Sequence, residues 1–351
     1  MLRQAQQPKL KTMNMYIFNE TSPTAVYGIG TYIRELTDTL KDSDINICVV
    51  HLRSEKSDDV LVESDGIHHL YFPTSINRRS SLDWDRQNEL YYRNIVFLLR
   101  LQIKNTENLV FHLNHNLCGT LAEELKKTFD CRIVTTVHYL DWCFSLFGNV
   151  TRFRKILAMQ ATDPSDRLKK AIDESYRKDT DLFEKTDHII CLSEKTKHIL
   201  QYDYKVKPEI ITVIYNGLAD KKSVSRRSAL RKKYGIPDIP IILFVGRIDK
   251  IKGLKYALQA FKMVLNTQPC HLIIAGNGAF DLYMKECEDI WLHVAWTGFI
   301  GKEKLYDLYS IADIGIMPSF HEQCSYVAID TYTIYYIYKS ANNQHIDRNF
   351  N

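Results

Sequence analysis

No stretch of this 351-residue chain approaches 18 consecutive apolar residues, so no transmembrane helix is read from it and the chain reads as soluble. Strong charge of one sign is also lacking. The 46 Lys+Arg are interleaved with 42 Asp+Glu, and the net +4 is too mild to argue for a nucleic-acid partner. The eight cysteines, Cys48, Cys118, Cys131, Cys143, Cys191, Cys270, Cys287 and Cys324, include no C-x-x-C pair and read as reduced core residues. Met1 to Thr12 lack the apolar run of a signal peptide, which predicts a flexible arm at residues 1–12 and the cytoplasm as compartment. No internal repeat or low-complexity tract is visible. No G-x-G-x-x-G follows a first strand with an acidic residue about 20 positions on, which disfavours a dinucleotide oxidoreductase.

What is present is globular in proportion, with 45% hydrophobic and 25% charged residues. The length suits two ordinary domains and excludes one small one. Short β-rich runs alternate with helical patterns, which predicts an α/β protein with parallel sheets. Seven strands are expected between Met15 and Tyr215, with helices such as Gly30 to Leu40, Asn88 to Ile103 and Pro164 to Thr186 between them. The basic stretch Lys221 to Arg227 reads as a linker, so domains of residues 13–220 and 221–330 are expected. Four more strands follow it, at Ile241 to Val245, Leu272 to Ala275, Val294 to Thr297 and Ile314 to Met317. Two Rossmann-like, doubly wound series imply a ligand cleft at the carboxyl ends of the strands.

Two motifs carry chemistry. The run Ile239 to Val245 delivers the chain into Gly246, Arg247, a short turn, and Lys252-Gly253 opening a helix. Free N–H groups at a helix start, a guanidinium and an ammonium together suit a diphosphate, though a solvated loop with two surface cations has the same sequence. Glu322 follows Lys252 by 70 residues, after the strand ending at Met317, and Asp330 follows Glu322 by eight. On one continuous helix the two carboxylates would stand about 80° apart. With Glu322 in the loop and a helix starting near Ser325, both can line one pocket, with the N–H groups of Cys324 and Ser325 between them. The alternative is a capping carboxylate and a solvated helix residue.

In this order and context the residues resemble the family-4 glycosyltransferases, the GT-B group of retaining sugar transferases. Gly246, Arg247, Lys252 and Gly253 match the family's G-R-x4-K-G loop, and Glu322 and Asp330 match its Glu-x7-Glu pair. Tyr27-Gly28-Ile29-Gly30, His138 closing a strand, Ile190 to Ser193, Tyr215-Asn216-Gly217, Leu272 to Gly278 and Thr297-Gly298-Phe299 are similar to further landmarks. The resemblance spans about residues 13 to 330.

The resemblance implies a UDP- or GDP-sugar donor held mainly by the second domain. Arg247 and Lys252 would hold the diphosphate, Asp330 the ribose hydroxyls, and Glu322 with the N–H groups of Cys324 and Ser325 the donor sugar. Phe299 would face the base, Gly246, Gly28 and Gly30 would let the backbone approach the donor, and His138 would stand beside the reacting sugar. No metal or other cofactor is implied, in keeping with the absence of a suitably placed D-x-D motif. The acceptor would be a glycan or a lipid-linked molecule. The mixed basic and apolar stretch Thr151 to Met159 reads as a peripheral membrane contact, an acceptor-side loop or a plain amphipathic helix. His68, His69, His112 and His115 read as ordinary polar residues.

Two departures from the pattern stand out. Asp330 replaces a glutamate and shortens the reach to the ribose. Beyond it, Thr331 to Asn351 crowd Tyr, Ile, Asn and Lys without hydrophobic periodicity, which reads as an interrupted or out-of-frame ending. A helix begun near Ser325 is expected to fray there, leaving the second domain partial. The rival reading of such a chain is a catalytically inactive remnant that binds a nucleotide-sugar or a protein partner.

Overall fold

The computed structural model describes residues 13–333 except 21–27, 56–59, 65, 75–82, 117, 161–165, 220–226 and 237. The arm at 1–12, Tyr27, most of the expected linker and residues 334–351 lie outside the described residues. The chain divides into two compact units after Asn216.

The first unit begins with β1 (Met13–Glu20), α1 (Gly30–Leu40), β2 (Ile45–Ser54), β3 (Val60–Ser64), β4 (Ile67–Pro73) and α2 (Trp84–Gln102). It continues through β5 (Leu109–Leu113), α3 (Gly119–Thr128), β6 (Cys131–Val137), α4 (Trp142–Leu146), α5 (Val150–Ala158) and α6 (Arg167–Glu184). It ends with β7 (His188–Cys191), α7 (Glu194–Tyr202) and β8 (Ile211–Val213). Among the described residues its eight strands run in the order β3-β4-β2-β1-β5-β6-β7-β8. The winding reverses between β1 and β5, the switch point of a doubly wound sheet. One departure from the all-parallel expectation is β3, which pairs antiparallel to β4. An antiparallel hairpin needs only a tight turn, and Gly66 at φ 75° supplies it. Every residue of β5 is buried, His112 included, as expected of a central strand covered on both faces. One face packs Ile17, Ile33 and Val49 with α1, and the other packs Phe111, Leu121 and Leu182 with α2, α3 and α6.

The second unit holds α8 (Arg227–Lys233), β9 (Ile241–Val245), α9 (Leu254–Leu265), β10 (His271–Ala275), α10 (Asp281–Met284), β11 (Val294–Gly298), α11 (Lys302–Ile311) and β12 (Ile314–Ile316). Its parallel strands run β11-β10-β9-β12. Phe244, Leu258, Phe261 and Ile274 fill one side, and Leu230, Leu243, Tyr309 and Ile311 the other. Asp313 ties the layers together, accepting from Arg231 at 3.0 Å and from the Ile241 N–H at 2.8 Å. Among the described residues β12 is an edge strand, and Ile314 on it is 53% exposed. Residues 326–333 are helical. The eight cysteines are free, and six are buried, Cys131 and Cys324 being half-buried.

Candidate active site

In the second unit β9 and β12 are neighbours, so the loops at their carboxyl ends lie side by side. Gly253 sits at φ 69°, and a Cβ there would stand 2.2 Å from the Pro318 carbonyl oxygen. Only glycine lets the two loops approach this closely. The Phe320 N–H then donates to the Ile251 carbonyl at 2.9 Å, and the Tyr256 and Phe320 rings meet edge to face at 5.4 Å.

This seam brings Lys252 and Glu322 together across 70 residues of chain, Nζ to Oε1 at 2.5 Å. Their side chains keep 21% and 24% of their surface exposed, enough to meet a ligand. Arg247 pairs with Asp249 at 2.9 Å, and the Asp249 carboxylate also accepts from the Lys252 N–H at 3.2 Å. Asp249 therefore holds one cation by its side chain and the other by its backbone. The glycine behind them is equally constrained, because a Cβ on Gly276 would fall 1.8 Å from the Gly246 carbonyl oxygen.

Glu322 lies in the loop, and Ser325 precedes the helical residues, its Oγ accepting from the Ala328 N–H at 3.4 Å. Cys324 and Ser325 thus stand at that helix start. Asp330, on the helix, accepts a hydrogen bond from Tyr306 of α11 at 3.1 Å. Phe299 follows β11 and is 54% exposed.

His138, Gly28 and Gly30 belong to the first unit. Gly30 opens α1, and a Cβ on Gly28 would meet no atom within 4 Å, so local packing does not demand a glycine at that position. His138 follows β6 and gives Nε2 to Asn114 Oδ1 at 3.0 Å, with the Tyr32 ring edge-on at 4.7 Å. Burial, then His115 and His112, lower its pKa to about 3. Tyr32 meets Thr136 at 3.1 Å, and Thr136 meets His112 at 2.7 Å.

Several residues at this carboxyl edge carry no motif. His112 and His115 are 2% and 3% exposed, so they are buried members of the network and not ordinary polar residues. Burial lowers both pKa values, that of His112 to about 4. His115 accepts from the Glu20 N–H at 2.6 Å, and Glu20 pairs with Arg53. The Arg53 guanidinium lies 4.7 Å from the Tyr91 ring centre and donates to Asn88 at 2.6 Å. The available signal was positional, since Glu20, Arg53, Asn114 and His115 all end or follow parallel strands.

A groove of about 460 Å³ opens between the starts of α2 and α3 and the middle of α6, lined by Arg86, Glu89, Asn116, Glu123 and Lys178 among others. None of the residues singled out in the sequence lines it. The stretch Thr151 to Met159 forms α5, whose Phe153 and Ile156 are buried in the core. Phe153 stacks on Trp142 at 4.2 Å, and Arg154 is held by Asp203 at 2.7 Å. The segment is thus an amphipathic helix whose Phe153 and Ile156 pack inward, while Met159 after it is 52% exposed. Among the described residues no helix is long and apolar enough to cross one, and no three His, Cys, Asp or Glu side chains cluster as metal ligands.

The sequence profile described as Glycosyltransferase Family 4 matches residues 26–222, more than half the chain, and that of Glycosyl transferases group 1 matches residues 226–332. The chain belongs to Glycosyltransferase Family 4. An uncharacterized glycosyltransferase of Methanocaldococcus jannaschii is 28% identical over 151 residues, 40% of this chain and 39% of the relative. The match thus spans well under half of that relative's length. Sucrose-phosphate synthase from Thermosynechococcus elongatus superimposes with a TM-score of 0.67 at 17% identity, over 92% of this chain and 79% of that one. Anabaena HepE, solved in complex with UDP and glucose, gives 0.64 at 13% identity over 92% and 78%. These likenesses establish the GT-B fold of the family-4 chain.

Proposed function

We propose that this chain transfers a sugar from a UDP- or GDP-sugar to a glycan or lipid-linked acceptor, with retention at the anomeric carbon. The observation that carries the reading is the Lys252–Glu322 pair at the seam of the β9 and β12 loops. It sets a cation fit for a phosphate beside a carboxylate fit for sugar hydroxyls. The complex of HepE with UDP and glucose supports a donor of this class.

Arg247 and Lys252 offset the charge that grows on the leaving nucleoside diphosphate, a preorganised electrostatic role. Glu322 accepts from the donor sugar, and the N–H groups at Cys324 and Ser325 add donors beside it. Asp330 takes the ribose hydroxyls and Phe299 faces the base. In the first unit, Gly28, Gly30 and neutral His138 are the groups we assign to the donor, His138 as a hydrogen-bonding group for the sugar. No protein nucleophile and no metal enter, so catalysis is positioning and charge stabilisation.

Hydrolysis and transfer assays with a panel of UDP- and GDP-sugars test this reading. Turnover is expected with one donor class and is lost in Lys252→Ala. A folded chain that binds neither UDP nor GDP would overturn the proposal. Binding of UDP or GDP without turnover would favour the second reading, a chain that binds a nucleotide-sugar or a protein partner without transferring the sugar.

A further inference from the structure

Asn114 follows β5 and is 1% exposed. Its Nδ2 donates to the Phe18 carbonyl at 3.1 Å and lies 3.5 Å from the His112 carbonyl. Both neighbours are acceptors, so turning the amide round would set its oxygen against two other oxygens. The amide therefore has one orientation, with Oδ1 toward His138 Nε2 at 3.0 Å. An amide oxygen only accepts, which requires the hydrogen of the imidazole on Nε2 and leaves the lone pair of the neutral ring on Nδ1.

We propose that Asn114 is a positioning residue that fixes His138 as the Nε2–H tautomer, so that Nδ1 is offered as a hydrogen-bond acceptor to a sugar hydroxyl. The assignment of the hydroxyl rests on the glycosyl-transfer reading above; the tautomer rests on Asn114 alone. The ring is also held in orientation. Tyr32 packs edge-on against it at an interplanar angle of 77°, and the Tyr32 hydroxyl is fixed by Thr136. Thr136 in turn meets His112 Nε2 at 2.7 Å, so the chain of contacts runs from α1 through β6 to β5. His138 remains half-buried, whereas Asn114 beneath it is sealed. Burial with two neighbouring imidazoles keeps the ring neutral near pH 7, so it serves as an acceptor and not as a cation.

The test uses the full chain with 15N-labelled histidine, His138 being identified by the signal that disappears in His138→Gln. At pH 7 the His138 ring is expected as the Nε2–H form, and Asn114→Ala is expected to convert it to a mixture of tautomers. An Nδ1–H ring in the wild type would overturn the proposal, and this reading survives even if Asn114→Ala fails to fold. An unchanged Nε2–H ring in folded Asn114→Ala would overturn it as well. Where turnover is present, Asn114→Ala should lower kcat/KM about tenfold or more, in the range of supporting hydrogen-bond partners. Added to His138→Ala it should cost nothing further, as a residue acting through another must. Additive losses would overturn the positioning role. An Nε2–H ring in a chain without turnover would leave Asn114's role standing while removing the sugar-transfer reading.

Discussion

The carboxyl edges of the two sheets solve opposite problems. In the first unit the edge carries groups that burial holds neutral, His112, His115 and His138, with Asn114 and Thr136 between them and the Glu20–Arg53 ion pair beside them. In the second, Arg247, Asp249, Lys252 and Glu322 remain about a fifth to a third exposed and form ion pairs. Neutral groups in a fixed network give hydrogen bonds of fixed direction, and partly solvated ions give adjustable charge.

The largest expected effect breaks the charged side. Lys252→Ala should reduce kcat/KM about 10²–10³-fold, the usual loss when one preorganised electrostatic contact to a developing anion is removed. Arg247→Ala should fall in the same range. Steady-state kinetics with the productive donor decides, and a loss under tenfold for both would remove them from the diphosphate site.

Next comes acid stability, which reads the neutral side. The His112 pKa is about 4 in the fold against 6.5 for the free group, and that of His138 is about 3. The unfolded chain therefore takes up protons first as pH falls below about 6.5, and native stability drops through that window toward pH 4. For buried His112 alone the loss is roughly 3 kcal/mol at pH 4. Urea midpoints of the wild type and His112→Gln between pH 7 and 4 should converge on acidification. Parallel curves would show that His112 is not held neutral.

A smaller effect is expected at Asp330. Asp330→Ala should cost about tenfold, near 1.4 kcal/mol, and mainly in KM, because a ribose contact is similar in ground and transition states. A loss exceeding that of Lys252→Ala would reverse the two assignments. Tyr306 already holds the Asp330 carboxylate at 3.1 Å, which gives the shortened acid a fixed direction.

How far the sequence could be read follows the same division. The candidate site of the second unit could be read as a set of motifs because they are local, two cations in a strand-to-helix loop and a carboxylate in a second loop. The seam through Gly253 and Pro318 that joins them was not, because a close approach of two backbones leaves only a glycine in the sequence. Asp249 lay inside the motif yet went unassigned, although an acid three residues before Lys252 at a turn start is a capping pattern. The alternation of strands and helices showed the sheets, but β3 was missed because nothing marks a five-residue hairpin arm. The buried network around His138 was hidden for a physical reason. Its members come from β1, β5, β6 and α1, and single polar residues ending separate strands look alike whether solvated or sealed. The stretch in α5 left three readings open in the sequence, and of them the structure shows an amphipathic helix that turns Phe153 and Ile156 into the core.

The neutral character of the first unit extends below its edge, and the smallest predicted effect measures it. Asp179 on α6 is 1% exposed and accepts from the Tyr204 hydroxyl at 2.9 Å. Burial, the leading cause, pushes its pKa well above the carboxylate range, with Asp141 adding to the rise against hydrogen bonds from Tyr204 and Asn116. The unfolded chain releases this proton near pH 3.8 while the fold keeps it, so stability from this group is full below that pH and declines above it. Asn is the neutral isostere and still accepts from Tyr204. Asp179→Asn should therefore stabilise the protein at pH 7 by about 1 kcal/mol, read as about 2–4 °C in Tm. The gain should vanish as pH approaches 4, opposite in sense to the histidine effect. A destabilised Asp179→Asn at pH 7 would show that the carboxylate is ionised in the fold, and that the first unit tolerates a sealed charge as the second tolerates exposed ones.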